Sequence, residues 1–184
     1  MATAPGRRVL VLGGARSGKS AAAERRLAGA GAVTYVATGG RHPDDPEWMA
    51  RVAAHRANRP AHWRTVESTD LVGVLSGATG PLLVDCLTLW LAAVMDDAGA
   101  WDDQGWVDAG PARIRVRQQV DELVEAWLAV AVPLVGVSNE TGLGIVPETA
   151  SGRRFRDELG WLNQRVAAVS DEVVLVVAGR ELKL

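Results

Sequence analysis

Residues 8–20, Arg8-Val9-Leu10-Val11-Leu12-Gly13-Gly14-Ala15-Arg16-Ser17-Gly18-Lys19-Ser20, decide the fold. A short apolar run ends in G-x-x-x-x-G-K-S, and a stretch rich in alanine, glutamate and arginine follows. Strand, loop and helix in that order is the setting in which this spacing is specific. Gly13 and Gly18 let the backbone turn so that its N–H groups point inward, and the helix start adds a partial positive charge, which together form a nest for phosphate oxygens. Lys19 brings a compact ammonium to the β and γ phosphates, a role that the planar fork of arginine does not reproduce. Ser20 offers a hydroxyl to Mg²⁺. The loop Gly13, Gly14, Ala15, Arg16, Ser17, Gly18, Lys19 and Ser20 is therefore predicted to hold a nucleoside triphosphate.

The rest of the chain repeats the alternation that starts here. Apolar, β-branched runs at 8–12, 32–37, 81–85, 132–137 and 172–178 alternate with helix-forming stretches at 19–29, 46–58, 87–97, 111–130 and 152–170. Near-continuous hydrophobicity in the strands means burial on both faces, as in a parallel sheet covered by helices. The predicted class is α/β, a P-loop NTPase domain with a RecA-like, mainly parallel sheet flanked by helices. The 184 residues suit one domain, 1–184.

Composition narrows the setting. With 20 basic and 22 acidic side chains and a net charge of −2, the chain offers no polyanion-binding character, and no nucleic-acid partner is expected. Cys86 is the only cysteine, which excludes a disulfide framework and fits a reducing compartment. No apolar run approaches a membrane span and no signal-peptide core opens the chain, so a cytoplasmic location is expected. Only Lys19 and Lys183 are lysines, and the other basic residues are arginines.

Asp85 ends the run Pro81-Leu82-Leu83-Val84-Asp85 and is the candidate carboxylate for the water shell of Mg²⁺, beside Ser20. It also reads as the N-cap of the helix that follows, and the two roles are compatible. The stretch 96–110 is acidic, contains glycine and carries Trp101 and Trp106, so it reads as a loop or lid whose tryptophans cover a ligand or pack on the domain itself. The stretch 138–150 leaves the carboxyl end of a strand, where ligands sit in open α/β sheets. If 46–58 is helical, Arg51, His55 and Arg59 recur on one face. Flanking cations would favour the neutral imidazole, the form a nucleophile needs, and would attract a triphosphate; a solvated basic face fits the same spacing.

As a whole the sequence resembles the adenosylcobinamide kinase/adenosylcobinamide-phosphate guanylyltransferase (CobU) family. The resemblance rests on GGARSGKS, on YVAT with the H-R-x-x-R-P-x-x-W-R-T-x-E run behind it, on LLVDCLTLWL and on VSNETGLGIVPETASGRRFRDELGWLNQRVAAVSDEVVLVVAG, and it covers nearly the whole chain. It implies two reactions: phosphorylation of adenosylcobinamide by a nucleoside triphosphate, ATP or GTP, and transfer of GMP from GTP to adenosylcobinamide phosphate through a guanylyl-histidine. It places the nucleophile at His55, with Ala54 where some members carry a second histidine. His62 falls on a more variable position, and His42 has no assigned role. The resemblance also implies nucleotide contacts from Ala37, Thr38, Gly39, Arg56, Ala57, Asn58, Glu67 and Asp85, and a homotrimer. A carboxylate can pair both N1–H and the 2-amino group of guanine, which would make Glu67 the source of guanine preference; an ordinary strand-end acid is the other reading. Asn139, Glu140 and the glycines of TGLGIVPE, Gly142 and Gly144, match the family and are placed by the resemblance near nucleotide or corrinoid. Ala92 and Ala93 stand where the family often has an asparagine, and the 101–110 loop matches no family motif. The alternative is a single-activity small-molecule kinase in which His55 only binds phosphate, and a nucleotide-responsive binding module is a more distant rival.

Overall fold

A computed structural model describes residues 6–40, 44–46, 49–50, 53, 59–103 and 105–184. Its sheet is built from β1 (Arg8–Gly13), β2 (Thr34–Ala37), β3 (Arg64–Glu67), β4 (Leu82–Asp85), β5 (Leu134–Asn139), β6 (Glu172–Val177) and β7 (Arg180–Lys183). The helices are α1 (Lys19–Leu27), α2 (Leu71–Ser76), α3 (Leu87–Asp97), α4 (Pro111–Ala129) and α5 (Ala150–Ala168). The strand order is β3-β2-β4-β5-β1-β6-β7, parallel throughout except for β7 against β6. This is the mainly parallel α/β sheet that the alternation predicts.

The two-residue period of β1 sends its side chains into two cores. Leu10 and Leu12 join Trp90, Leu91, Val120, Trp127 and Leu162 beneath α2–α5, whereas Val9 and Val11 join Ala22, Leu27, Tyr35 and Trp63 beneath α1. Burial on both faces is why the central strands read as unbroken apolar runs.

Three elements carry no such signal and are absent from the sequence reading. β3 and β7 lie at the sheet edges, and β7 is fully exposed, so neither has an apolar face to betray it. α2 is six residues long and contains Gly73; its start is set by Asp70, whose carboxylate accepts from Gly73 N–H at 2.8 Å. A two-residue turn with positive φ at Ala178 and Gly179 joins β6 to β7, the geometry that matches the twist of a hairpin. Of the expected helix 46–58, residues 46, 49, 50 and 53 are described and helical. Arg51, Ala54, His55, Arg56, Ala57 and Asn58, with His42, lie outside the described residues.

The 96–110 stretch is divided. α3 runs to Asp97, Ala98 and Ala100 are buried, and Trp106 packs on the larger core. Trp101 donates through its indole N–H to Asp96 and leans on Phe155, with ring centroids 6.3 Å apart. Both tryptophans pack on the domain itself.

At the amino end of the sheet, Asp171 pins β6 to β1. Its carboxylate accepts from the Arg8 backbone N–H at 2.7 Å and from the Arg8 guanidinium at 2.9 and 3.1 Å, and these bonds hold its pKa down at about 2. A depressed carboxylate pKa adds stability above about pH 4 that is lost as pH falls toward the folded value. Asp171→Asn should therefore cost about 1 kcal/mol at neutral pH, after discounting for its exposure. The difference from the parent protein should narrow as pH falls from about 4 toward 2, as read by urea unfolding.

Candidate functional site

The carboxyl edge of the sheet gathers the predicted groups in one row. Glu67 on β3 and Asp85 on β4 both sit opposite Ala37 on β2, Asp85 sits opposite Val137 on β5, and Gly13 on β1 sits opposite Asn139. Four strand spacings separate β3 from β1, about 19 Å along the edge. Lys19 and Ser20 open α1 after the five-residue turn that follows Gly13, so the phosphate loop stands at one end of this row and Glu67 at the other.

The loop's shape follows from its glycines. Gly18 has φ +93°, a conformation that costs other residues, and Gly13 lies so close to the Ser17 side chain and to the Val176 carbonyl that a Cβ would come within 2.8 Å of the latter. Around these turns the carbonyls are occupied. Gly13 C=O accepts from Glu140 N–H at 3.1 Å, Ser17 C=O accepts from Gly179 N–H at 2.8 Å, and Gly14 C=O accepts from the Lys19 ammonium at 3.1 Å. The first helical bond of α1 runs from Ala22 N–H to Gly18 C=O, so the preceding N–H groups have no intrahelical partner, and no acidic side chain lies in the first turn. The buried Ser17 hydroxyl has no hydrogen-bond partner among the described residues. Donors without partners, an ammonium and a helix start at one point suit a polyphosphate.

Asp85 stands half-buried at the end of β4, and its Oδ2 accepts from the Tyr35 hydroxyl at 2.6 Å. Burial, and then the neighbouring Asp85, push the Tyr35 phenol far above its usual range and keep it a donor. The next residue, Cys86, is buried, and its thiol rises to about 11, chiefly through desolvation and then through Asp85, with Lys19 opposing. Asp85 and the Ser20 hydroxyl are hard oxygen donors and fit Mg²⁺, which keeps water and phosphate oxygens in its shell. The described residues hold no group of three or more His, Cys, Asp or Glu that could hold a metal by themselves.

Thr38 is buried, and its hydroxyl is committed to the Cys86 backbone, donating to the carbonyl at 2.6 Å and accepting from the N–H at 3.1 Å. It ties the ends of β2 and β4 together, which leaves backbone groups as its means of meeting a ligand. Beyond β5, Thr88 accepts from Asn139 N–H at 2.8 Å, and the buried Asn163 donates to Asn139 C=O at 2.9 Å. Tyr35, Thr88 and Asn163 escaped the sequence reading because each lies within an apolar or helical run and has no motif of its own.

Arg59, Trp63 and Arg64 of the R-P-x-x-W-R-T-x-E run act as scaffolding. Trp63 fills the core beneath α1, Arg64 N–H donates to Val33 C=O at 2.9 Å to start β3, and the Arg59 guanidinium lies over the Tyr35 ring, 3.3 Å from its centroid. An open cleft of about 450 Å³ lies between residues 106–108 and the first turns of α5, lined by Trp106, Arg113, Arg153, Arg154 and Glu158 among others. It shares no residue with the phosphate loop, and its arginines are largely paired with Asp103, Asp108 and Glu158.

Residues 9–184 match the family model described as CobU, cobinamide kinase / cobinamide phosphate guanyltransferase. The chain is 43% identical over 182 residues to the bifunctional adenosylcobalamin biosynthesis protein CobP of Pseudomonas aeruginosa, with 96% of each chain covered. It is 38% identical over 180 residues to the bifunctional adenosylcobalamin biosynthesis protein CobU of Salmonella typhimurium, covering 96% of this chain and 98% of that one. Among solved structures, an ATPase of a bacterial type III secretion system superposes with a TM-score of 0.55 at 16% identity. That match covers 93% of this chain and 51% of the ATPase chain, about half its length, and shows a shared P-loop fold alone.

Replacing Gly13 by alanine should drive a methyl group into the Val176 carbonyl and the Ser17 side chain. We expect a loss of about 1–3 kcal/mol in stability together with loss of nucleotide binding, measured by thermal unfolding and by titration with a fluorescent GTP analogue.

Proposed function

Since the chain belongs to the CobU family of cobinamide kinases and cobinamide phosphate guanyltransferases, we propose that one domain, residues 1–184, runs both reactions at the carboxyl edge of its sheet. The observation that carries this reading is the Gly13–Ser20 loop closing on Lys19, in a chain that matches the family over residues 9–184. In the kinase step the aminopropanol hydroxyl oxygen of adenosylcobinamide attacks the γ phosphorus of ATP or GTP; the new P–O bond forms as the bond to the nucleoside diphosphate breaks, and the hydroxyl proton is released to water. In the transferase step the neutral His55 imidazole attacks the α phosphorus of GTP, a P–N bond forms and pyrophosphate departs. A phosphate oxygen of adenosylcobinamide phosphate then displaces His55, which gives adenosylcobinamide-GDP and frees the imidazole.

Lys19 and the loop N–H groups stabilise the charge that develops on the departing phosphates, a term that dominates phosphoryl chemistry. Ser20 and Asp85 would hold Mg²⁺, which would supply further neutralisation of phosphate oxygens. The nucleotide lies along the edge, with its phosphates at Gly13, Gly14, Ala15, Arg16, Ser17, Gly18, Lys19 and Ser20, its middle near Ala37, Thr38, Gly39 and Asp85, and its guanine toward Glu67. Arg56, Ala57 and Asn58 flank the nucleophile.

The predicted cytoplasmic setting is supported by the buried, unpaired thiol of Cys86; no described helix is long and apolar enough to cross a membrane. For the assembly we favour the homotrimer implied by the resemblance. Leu143, Ile145 and Val146 are 83%, 95% and 56% exposed in the loop after β5 and supply an apolar surface for it. Sedimentation equilibrium should give three times the 19.5 kDa chain mass, and Ile145→Asp should shift the distribution toward monomer.

Incubation with α-labelled GTP and Mg²⁺ tests the chemistry. The protein should acquire an acid-labile, alkali-stable label that His55→Ala abolishes. Lys19→Arg should lower both activities by about 10²-fold or more despite its retained charge. A parent protein that takes up no label from GTP, yet phosphorylates adenosylcobinamide, would reduce the function to the kinase alone.

A further inference from the structure

Tyr35 touches both halves of the proposed chemistry. It sits on β2 opposite Thr65 of β3 and Leu83 of β4, on the face covered by α1, and is 2% exposed. Asp85 follows Leu83 by two residues and therefore emerges on the same face. The phenol donates to Asp85 Oδ2 at 2.6 Å. The face of the same ring is covered by the Arg59 guanidinium at 3.3 Å, and Arg59 Nη1 donates in turn to Thr65 Oγ1 at 3.2 Å. One buried ring therefore fixes a carboxylate through its edge and a cation through its face.

The two contacts are chemically independent. A hydrogen bond to one carboxylate oxygen restrains the rotamer of Asp85. A guanidinium stacked on a buried aromatic ring is attracted by the ring quadrupole and by dispersion, and it holds its own backbone in register. Arg59 follows His55 by four residues, a tether of at most about 14 Å of extended chain.

We propose that Tyr35 is a shared positioning residue, whose hydroxyl aims Asp85 and whose ring anchors Arg59 and thereby the end of the segment that bears His55. The inference rests on the roles given above to Asp85 and His55. It divides the enzyme's dependence on one side chain in two. The hydroxyl serves every step that uses the magnesium nucleotide, and the ring serves guanylylation.

Tyr35→Phe keeps the ring and removes only the bond to Asp85. Arg59→Ala keeps that bond and removes the stack, and Arg59→Lys restores the charge without the planar stack. Titration of Mg²⁺ against a fluorescent GTP analogue reads the first contact without turnover. Tyr35→Phe should raise the half-saturating Mg²⁺ concentration about tenfold, as expected for loss of a hydrogen bond to a charged group. A merely structural role would lower the melting temperature or the active fraction and leave that concentration in place. For the second contact, label uptake from α-labelled GTP is compared with phosphorylation of adenosylcobinamide. Arg59→Ala and Arg59→Lys should depress guanylylation at least about tenfold more than the kinase step, whereas Tyr35→Phe should depress the two together. A half-saturating Mg²⁺ concentration within twofold of the parent value would overturn the role of the hydroxyl. Equal loss of both activities in the Arg59 variants, or full recovery in Arg59→Lys, would overturn the role of the stack. A parent protein that takes up no label overturns the transferase reading, and the Arg59 half with it, while the Mg²⁺ titration still decides the hydroxyl.

Discussion

The phosphate loop depends on where its carbonyls go. A turn rich in glycine has as many acceptors as donors, and a nest for anions forms only if the acceptors are drawn away. Gly13 C=O is taken by the backbone of Glu140 after β5 and Ser17 C=O by the turn between β6 and β7. Both neighbours exist only because β1 lies between β5 and β6 in a parallel sheet. The fold thus sets the polarity of the loop's interior, and the core on each face of β1 holds the loop where those neighbours can reach it.

A second layer of polar bonds keeps the carboxyl edge straight. Thr38 bridges β2 to the residue after β4, Thr88 bridges α3 to Asn139, and Asn163 bridges α5 to the same residue. These side chains are buried, so each bond replaces one that water would otherwise make. They give the row from Gly13 to Glu67 a fixed spacing, which is the property a site must have if one nucleotide is to be held by residues on several strands.

Much of this was legible before any coordinates. The run from Arg8 to Ser20 announces strand, loop and helix, and the apolar runs at 81–85 and 172–178 announce their strands because burial on both faces leaves a compositional trace. β5 lies two residues later than its apolar run, since Ser138 and Asn139 extend it with polar groups whose partners, Thr88 and Asn163, are distant in sequence. β3, α2 and β7 were illegible for a related reason: edge position or shortness removes the periodicity that reading relies on. In the site, Lys19 and Asp85 could be named from motifs. Tyr35 could not, because a tyrosine inside an apolar strand looks like any other core residue until its hydroxyl is seen to meet a carboxylate.

Both margins of the sheet are charged. β3 carries Arg64 and Glu67 on one side, and on the other β7 carries Arg180, Glu181 and Lys183, with Glu181 held by Arg25 and Arg26 of α1. An open parallel sheet is a template that another strand can extend, and short, charged margins deny it that opportunity. Growth by strand addition, and the aggregation that follows from it, is thereby closed off at both ends, and contact between copies of the chain is left to its loops and helices.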